Sequence, residues 1–286
     1  MSSADSAALN RANWEERALI HARDRTGFYR IAEFEAGGDT LTSIESAELG
    51  DVSGLRILHL QCHLGLDSLS LVRRGAHVTG LDFSSNAIAF ARKLTSVTGL
   101  EATFVEAGVE NVRSAVAGDF DLIFATWGVL CWIPDARRWF GDAASMLAPG
   151  GRIYLADDHP AAVQTREVSL ADGGSPIVID EHSAIVYDEP WRTAANAPLT
   201  IEEQHTYTGD TTILEHATTT QWLHPLSEIV SGLLEAGLAL EFFHEHDRLP
   251  YRRYETMEPD GAGLWRLPAE LPGPPLAFSL MATQRL

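Results

Sequence analysis

Leu55-Arg-Ile-Leu-His-Leu-Gln-Cys-His-Leu-Gly-Leu-Asp67, answered by Val78-Thr-Gly-Leu-Asp-Phe-Ser84, decides how this chain reads. Ile57 to Leu60 form a short apolar run of buried-strand length. Gly65 opens a helix, and Val78 to Leu81 form a second strand that runs directly into Asp82. A carboxylate in that place accepts hydrogen bonds from both hydroxyls of a ribose, so the unit is suited to a nucleoside.

Two nucleoside ligands meet that description, a nicotinamide dinucleotide and S-adenosylmethionine. A dinucleotide needs closely spaced glycines so that backbone amides can approach its pyrophosphate at a helix N-terminus. Here the turn is Gln61-Cys62-His63-Leu64-Gly65, with one glycine and two bulky polar side chains. S-adenosylmethionine carries no phosphate and asks for only one close backbone approach. The turn therefore favours the sulfonium cofactor, whereas the spacing from Gly65 to Asp82 suits either ligand.

Over roughly residues 50 to 160 the sequence resembles the class I S-adenosylmethionine-dependent methyltransferases. Ile57 to Gly65 lies where that family has its glycine-rich first motif, and Val78 to Ser84 with Ala87-Ile88 matches its second strand and ribose acid. Phe120-Asp-Leu-Ile-Phe-Ala125 matches its fourth strand. Leu147-Ala-Pro-Gly-Gly151 matches the turn before the fifth, read as a helix stopped by Pro149, two glycines, and the strand Arg152 to Leu155. The departures are His59 in place of an acid, Gln61 and His63 in place of glycines, and Gly108 where an acid often meets the adenine amine. They resemble a subgroup of small-molecule methyltransferases with a Leu-Gln-Cys-His motif, so His59, Gln61, His63 and Asp67 are expected to form a substituted binding solution.

The resemblance implies an α/β fold: a Rossmann-like, doubly wound seven-stranded sheet, with S-adenosyl-L-methionine as cofactor. The implied cofactor-binding residues are Tyr29, Gln61, Cys62, His63, Gly65, Asp67, Asp82, Phe83, Ser84, Gly108, Val109 and Thr126. His63 is expected to hold the methionine carboxylate or position substrate, Asp67 to orient the turn, and Tyr29 to close the site from an N-terminal segment.

The 286 residues suffice for one large core, or one core with an inserted subdomain. Forty acids against twenty-one bases give a formal charge of −19, which repels nucleic acid and anionic membrane surfaces. Met1 to Ser6 is polar, no run approaches membrane-spanning length, and a cytoplasmic location is expected. Two cysteines make no disulfide framework; Cys62 and Cys131, after the first and fourth strands, are expected to be reduced thiols in the pocket wall.

Residues 1–50 read as an N-terminal helical cap, with a helix over Leu9 to Arg23 that puts Trp14, Ala18 and Leu19 on one face, and a shorter helix over Leu41 to Leu49. Residues 51–157 read as the nucleoside-binding core, with strands near 55–60, 76–82, 101–106, 120–126 and 152–157. Ser84 is an expected N-cap above the inward face Ala87, Ile88, Ala91 and Thr95, and Pro134 an expected helix start. Residues 158–224, with Gly173-Gly174, Gly209-Asp210 and β-branched runs, read as an antiparallel β insertion that caps the substrate pocket. Residues 225–286 supply a helix, Ser227 to Ala236, and the last two strands, Leu238 to His244 and Leu276 to Thr283.

Methyl transfer from a sulfonium asks mostly for positioning, plus a base if the nucleophile must lose a proton. His159, directly after the fifth strand, is the first expected base, and His205 in the cap is its rival. Trp127 and Trp132, after the fourth strand, are expected to wall a flat acceptor, with Tyr187, Trp191, Trp222, Tyr251 and Tyr254 as further aromatic surface. His59, Cys62 and His63 lack the spaced ligand pairs of a structural zinc site, so no metal is expected. The sequence reading is thus a methyltransferase acting on oxygen or nitrogen of a small, planar metabolite, as a monomer or homodimer. Alternatives are a non-methylating enzyme of the same fold, such as a cyclase or isomerase, and a non-catalytic binding module.

Overall fold

The structure, a computed structural model, describes residues 3–169, 177–178, 183–271 and 273–285. It opens with helices α1 (Ser3–His21), α2 (Ile31–Glu35) and α3 (Ser43–Glu48). Strands β1 (Arg56–Leu60), β2 (His77–Asp82), β3 (Thr103–Glu106), β4 (Phe120–Thr126) and β5 (Leu147–Asp158) then alternate with α4 (Leu66–Arg73), α5 (Ser85–Thr98), α6 (Val112–Ala115) and α7 (Ala136–Ala144). After β5 come α8 (Pro160–Val163), β6 (Thr165–Ser169), β7 (Ile177–Val178), β8 (Ser183–Tyr187), β9 (Leu199–Glu202) and β10 (Thr218–Gln221). The chain ends with α9 (Leu226–Glu235), β11 (Leu238–His246), β12 (Arg248–Leu249), β13 (Glu258–Pro259), β14 (Trp265–Arg266) and β15 (Ala277–Gln284).

Seven strands form one sheet in the order β11-β15-β5-β4-β1-β2-β3, with β15 antiparallel to both neighbours. The expected doubly wound, Rossmann-like sheet is therefore present. Its central strands are mostly apolar on both faces because both faces are covered. Alternate residues serve the two layers: Leu58, Leu60, Ile123 and Leu155 pack with Trp139, Phe140 and Leu233, while Ile57, Leu122, Phe124 and Tyr154 pack on the other face with Leu71 and Met281. Each such side chain contributes roughly 1.5–3 kcal/mol by leaving water.

Ser84 caps α5 as expected, accepting the Ala87 N–H at 3.2 Å, and Gly99 ends that helix at φ 69°. Two expected boundaries move. Helix α7 starts one residue after Asp135, whose carboxylate accepts the Arg138 N–H, so Pro134 precedes the cap instead of opening the helix. Pro149 does not stop a helix: α7 has ended at Ala144, and β5 already pairs at Leu147 with Phe120 before the register shifts. Gly151 is needed there because a Cβ would stand 2.8 Å from the Phe120 carbonyl oxygen.

The segment after β5 is antiparallel as read, with small sheets β6-β8-β7 and β10-β9; the expected Gly173-Gly174 turn and Ile179 lie outside the described residues. A third small sheet, β12-β14-β13, lies between the last two core strands. Its two-residue strands are too short to show a period.

Helix α1 buries a polar stripe, Ser6, Asn10, Asn13 and Arg17, at helical spacing. Asn10 exchanges hydrogen bonds with the Thr220 backbone, Asn13 donates to the His216 carbonyl, and Arg17 meets Glu203 at 2.5 Å. Of Trp14, Ala18 and Leu19, expected on one face, Ala18 is buried while Leu19 is 49% exposed. No helix among the described residues is long and apolar enough to cross a membrane.

Candidate active site

The turn after β1 is built from its own strained backbone. Gln61, His63 and Gly65 all take left-handed φ values, 55°, 47° and 75°, a conformation that costs non-glycine residues energy and persists only when neighbours fix it. Asp82 does part of that fixing. Its Oδ2 accepts the His63 N–H at 2.9 Å and its Oδ1 the Ser84 N–H at 2.8 Å. Burial still pushes this carboxyl up to about 6.

Gln61 does not face a ligand with its side chain. Its Nε2 donates to the Val129 carbonyl at 3.1 Å and its Oε1 accepts the Trp139 indole N–H at 3.1 Å, so it braces the turn against the segment after β4. Cys62 is 4% exposed in the core beside Phe104, and burial pushes its thiol up. Gly65 is required twice over: by its φ, and because a Cβ would meet the Phe104 ring at 2.7 Å and Ala91 at 2.8 Å. Asp67 bonds Thr40 Oγ1 at 2.5 Å, so it ties α4 to the N-terminal segment instead of orienting the turn. His59 pairs with Ser68 Oγ at 2.8 Å and meets Phe124 edge-on; burial pulls its pKa down to about 3 and keeps it neutral.

An aromatic roof lies over this turn. His63 Nε2 and His21 Nδ1 are 2.9 Å apart, and burial pulls them to about 3 and about 2, so one neutral ring donates to the other. Tyr29 reaches His21 Nδ1 at 3.2 Å and bonds the Tyr207 hydroxyl. Trp14 stands edge-on to both His63 and Trp132. Glu15, also on α1, accepts from Ser84 Oγ and the Ser85 and Asn86 N–H groups, clamping α1 onto the start of α5. Phe83 lies under the Arg11 guanidinium. Gly108 caps the short turn Val109–Asn111 and is covered by the Glu110 carboxylate, while Val109 is buried in the core. Thr126 ends β4 with a buried Oγ1 that lacks a partner among the described residues.

A cavity of about 420 Å³ opens at the carboxyl ends of β4 and β5, where open α/β sheets place ligands. Leu130, Cys131, Asp157, Asp158, Trp222 and His224 are among its lining residues. Asp157 is spent on structure: its carboxylate accepts the N–H groups of Gly128, Val129 and Leu130. Asp158 accepts the Tyr251 hydroxyl on Oδ2, and its Oδ1 is buried without a partner among the described residues. Burial raises both carboxyls, and the charge of Asp158 raises Asp157 further.

His159 is outside the cavity wall. Its Nδ1 accepts the Ala161 N–H to cap α8, and its Nε2 lies 3.1 Å from Glu245 on β11. The expected base is thus turned toward β11, because its ring is taken up by capping α8 and by Glu245. His205 is exposed and bonds the Thr212 carbonyl. Tyr187 and Trp191 are 60% and 58% exposed and do not line the cavity. Trp127 packs between two core clusters, with its indole N–H on Glu45 Oε1 at 2.6 Å. Of the tryptophans, Trp222 lines the cavity, with its backbone N–H on the Cys131 carbonyl.

Tyr207 joins the two regions. Its hydroxyl bonds Tyr29 above the turn, its ring lies 6.5 Å from that of Tyr251, and Tyr251 bonds Asp158. Sequence reasoning missed Tyr207, Glu15, Arg17 and Asp158. The buried polar spacing on α1 was a legible signal for Arg17; Tyr207 sits in a loop without periodicity and left none.

The donor set fits a phosphate-free nucleoside. Asp82 is a fixed acceptor at the end of β2, and two buried polar atoms without partners among the described residues are His21 Nε2, on the ring that bonds His63, and Thr126 Oγ1, at the end of β4. Residues 57–151 match a family model described as a methyltransferase domain. Ubiquinone biosynthesis O-methyltransferases are similar: that of Cronobacter sakazakii is 32% identical over 106 residues, 37% of this chain and 43% of its own length. That of Xylella fastidiosa strain 9a5c is 33% identical over 104 residues, 36% of this chain and 42% of its own. The chain thus matches less than half the length of these relatives. A putative S-adenosylmethionine-dependent methyltransferase from Listeria monocytogenes superposes with a TM-score of 0.58 at 14% identity, covering 89% of this chain and all of its own. Another from Mesorhizobium loti gives 0.56 at 20% identity, covering 83% and 94%. At such identities the shared property is the fold.

Proposed function

We propose that the chain transfers a methyl group from S-adenosylmethionine to an oxygen or nitrogen of a small acceptor, a reading supported by the match of residues 57–151 to a methyltransferase-domain model and by the class I methyltransferase fold. The observation that carries this reading is the continuity from the Asp82-braced turn, through Tyr29 and Tyr207, to a cavity of about 420 Å³ at the ends of β4 and β5. A cavity of that size suits a metabolite and not a macromolecule.

In this reading Asp82 accepts from the ribose hydroxyls, the turn backbone at Gln61 to Gly65 meets the amino-acid end, and Thr126 and His21 offer the polar atoms left open. When bound, the cofactor supplies an electrophilic methyl carbon with a sulfide as leaving group. The chain positions the acceptor, excludes water beneath α1, and gives the acceptor's proton a place to go. Asp158 Oδ1 is that place, in the role sequence reading gave to His159. Trp222 provides the flat wall.

Calorimetric titration with S-adenosylhomocysteine, beside NADH as the rival, tests the cofactor. Binding of the first alone supports the reading, and product mass then separates methylation, which adds one methyl, from a cyclisation or isomerisation. Binding of neither ligand overturns it.

A further inference from the structure

The wall of the acceptor cavity is unequal in charge. Asp157, Asp158, Asp188, Glu189 and Glu203 line it, against the guanidiniums of Arg166 and Arg253. Most of these groups are engaged: Arg166 with Asp188 at 2.5 Å, Glu203 with Arg17 at 2.5 Å, and Asp157 with three backbone N–H groups. Arg253 stands 3.9 Å from Asp158, too far for a hydrogen bond.

Beside one open donor, the buried Nε of Arg253, the wall leaves an acceptor open. Asp158 Oδ1 is buried without a partner among the described residues. His224, 7% exposed, also lines the cavity; its Nε2 donates to the Ile133 carbonyl at 2.7 Å and its Nδ1 faces the Glu228 carboxylate at 3.5 Å. A buried carboxylate oxygen without a donor is costly, and a ligand that brings N–H groups and positive charge relieves it. The indole of Trp222 in the same wall adds an aromatic surface of the kind cations favour.

We propose that the acceptor is a cationic amine, whose ammonium is held by Asp158 beneath the hydroxyl of Tyr251. This rests on the proposed methyltransferase reading and narrows it to nitrogen-bearing substrates. The ammonium reaches its nucleophilic form when one N–H bond breaks, its electron pair stays on nitrogen, and the proton passes to Asp158 Oδ1. Divalent metal is the other natural guest of carboxylates, but among the described residues no three His, Cys, Asp or Glu side chains come together as metal ligands.

The test is binding by the full chain saturated with S-adenosylhomocysteine, so that cofactor binding is scored separately. A panel of aralkylamines is titrated beside their neutral alcohol isosteres, tyramine against tyrosol first. Several amines should outbind their alcohols by about tenfold or more, and Asp158→Asn should abolish the preference while keeping S-adenosylhomocysteine affinity, which reports an intact fold. A panel in which no amine outbinds its isostere overturns the proposal, as does a preference that survives in Asp158→Asn. Failure of S-adenosylhomocysteine itself to bind would instead strike the methyltransferase reading.

Discussion

Asp82 Oδ2 accepts the backbone N–H of His63 at 2.9 Å, which ties the end of β2 to the one residue of the strained turn whose side chain enters the aromatic roof. One carboxylate therefore shapes the turn and, in the proposed reading, also accepts from the ribose. Hydrogen bonds to a charged group are each worth about 1.5–3 kcal/mol. Asp82→Ala should accordingly weaken S-adenosylhomocysteine binding by roughly ten- to a hundredfold. Because burial raises this carboxyl to about 6, wild-type affinity should fall as pH drops through that value, where the acceptor becomes protonated. Asp82→Asn should bind weakly at every pH. Calorimetry across this range decides it, and a pH-independent wild type would remove Asp82 from the ribose.

Asp157 holds the turn after β4 through the N–H groups of Gly128, Val129 and Leu130, beside the left-handed Trp127. Asp157→Asn would turn an amide donor against donors already in place. The expected cost is about 1–3 kcal/mol of stability, read as a lower urea midpoint. Equal midpoints would show that the turn holds itself.

The core was legible because its signals are local. Apolar runs at Ile57, Val78 and Phe120, the acid at Asp82 and the cap at Ser84 each follow from neighbours in sequence. The site was legible only in part. Gln61 is polar in a ligand-facing turn, yet its amide is consumed by Val129 and Trp139, partners 68 and 78 residues away. His159 and Asp158 are adjacent, and only the end of β5 at Asp158 and the cap that His159 gives to α8 say which one faces the cavity. Tyr187 and Trp191 show that aromatic content does not reveal facing: both stand exposed. Long-range polar partners and side-chain direction leave no periodic trace.

His159 caps α8 and lies against Glu245 instead of facing the acceptor cavity. His159→Ala should keep turnover within about twofold while losing about 0.5–2 kcal/mol, the usual worth of an N-cap. Product formation by mass spectrometry and thermal unfolding together check this. A tenfold loss of turnover at unchanged stability would return His159 to the chemistry.

Glu45 gives the molecule a pH-dependent stability. It is 1% exposed, accepts the Trp127 indole N–H at 2.6 Å, and is pushed up to about 8 by burial and the nearby charge of Asp67. The unfolded chain releases this proton near 4.5, the folded chain only near 8. Between those values the native state binds more protons than the unfolded one, so unfolding free energy falls as pH rises, and levels off above about 8. Asp82, raised by burial, adds to the same slope at its acidic end, up to about 6. Below about 6.5 the buried His21, His59 and His63, held neutral in the fold, give the opposite slope, so urea midpoints from about pH 7 to about pH 9 should trace the decline. Glu45→Gln keeps an oxygen for the Trp127 indole but has no proton to lose, so its midpoints should fall less than those of the wild type between about 7 and 8, above the range where the raised Asp157 titrates. Parallel curves for the two proteins would mean that Glu45 is ionised within the fold and that its charge is compensated there.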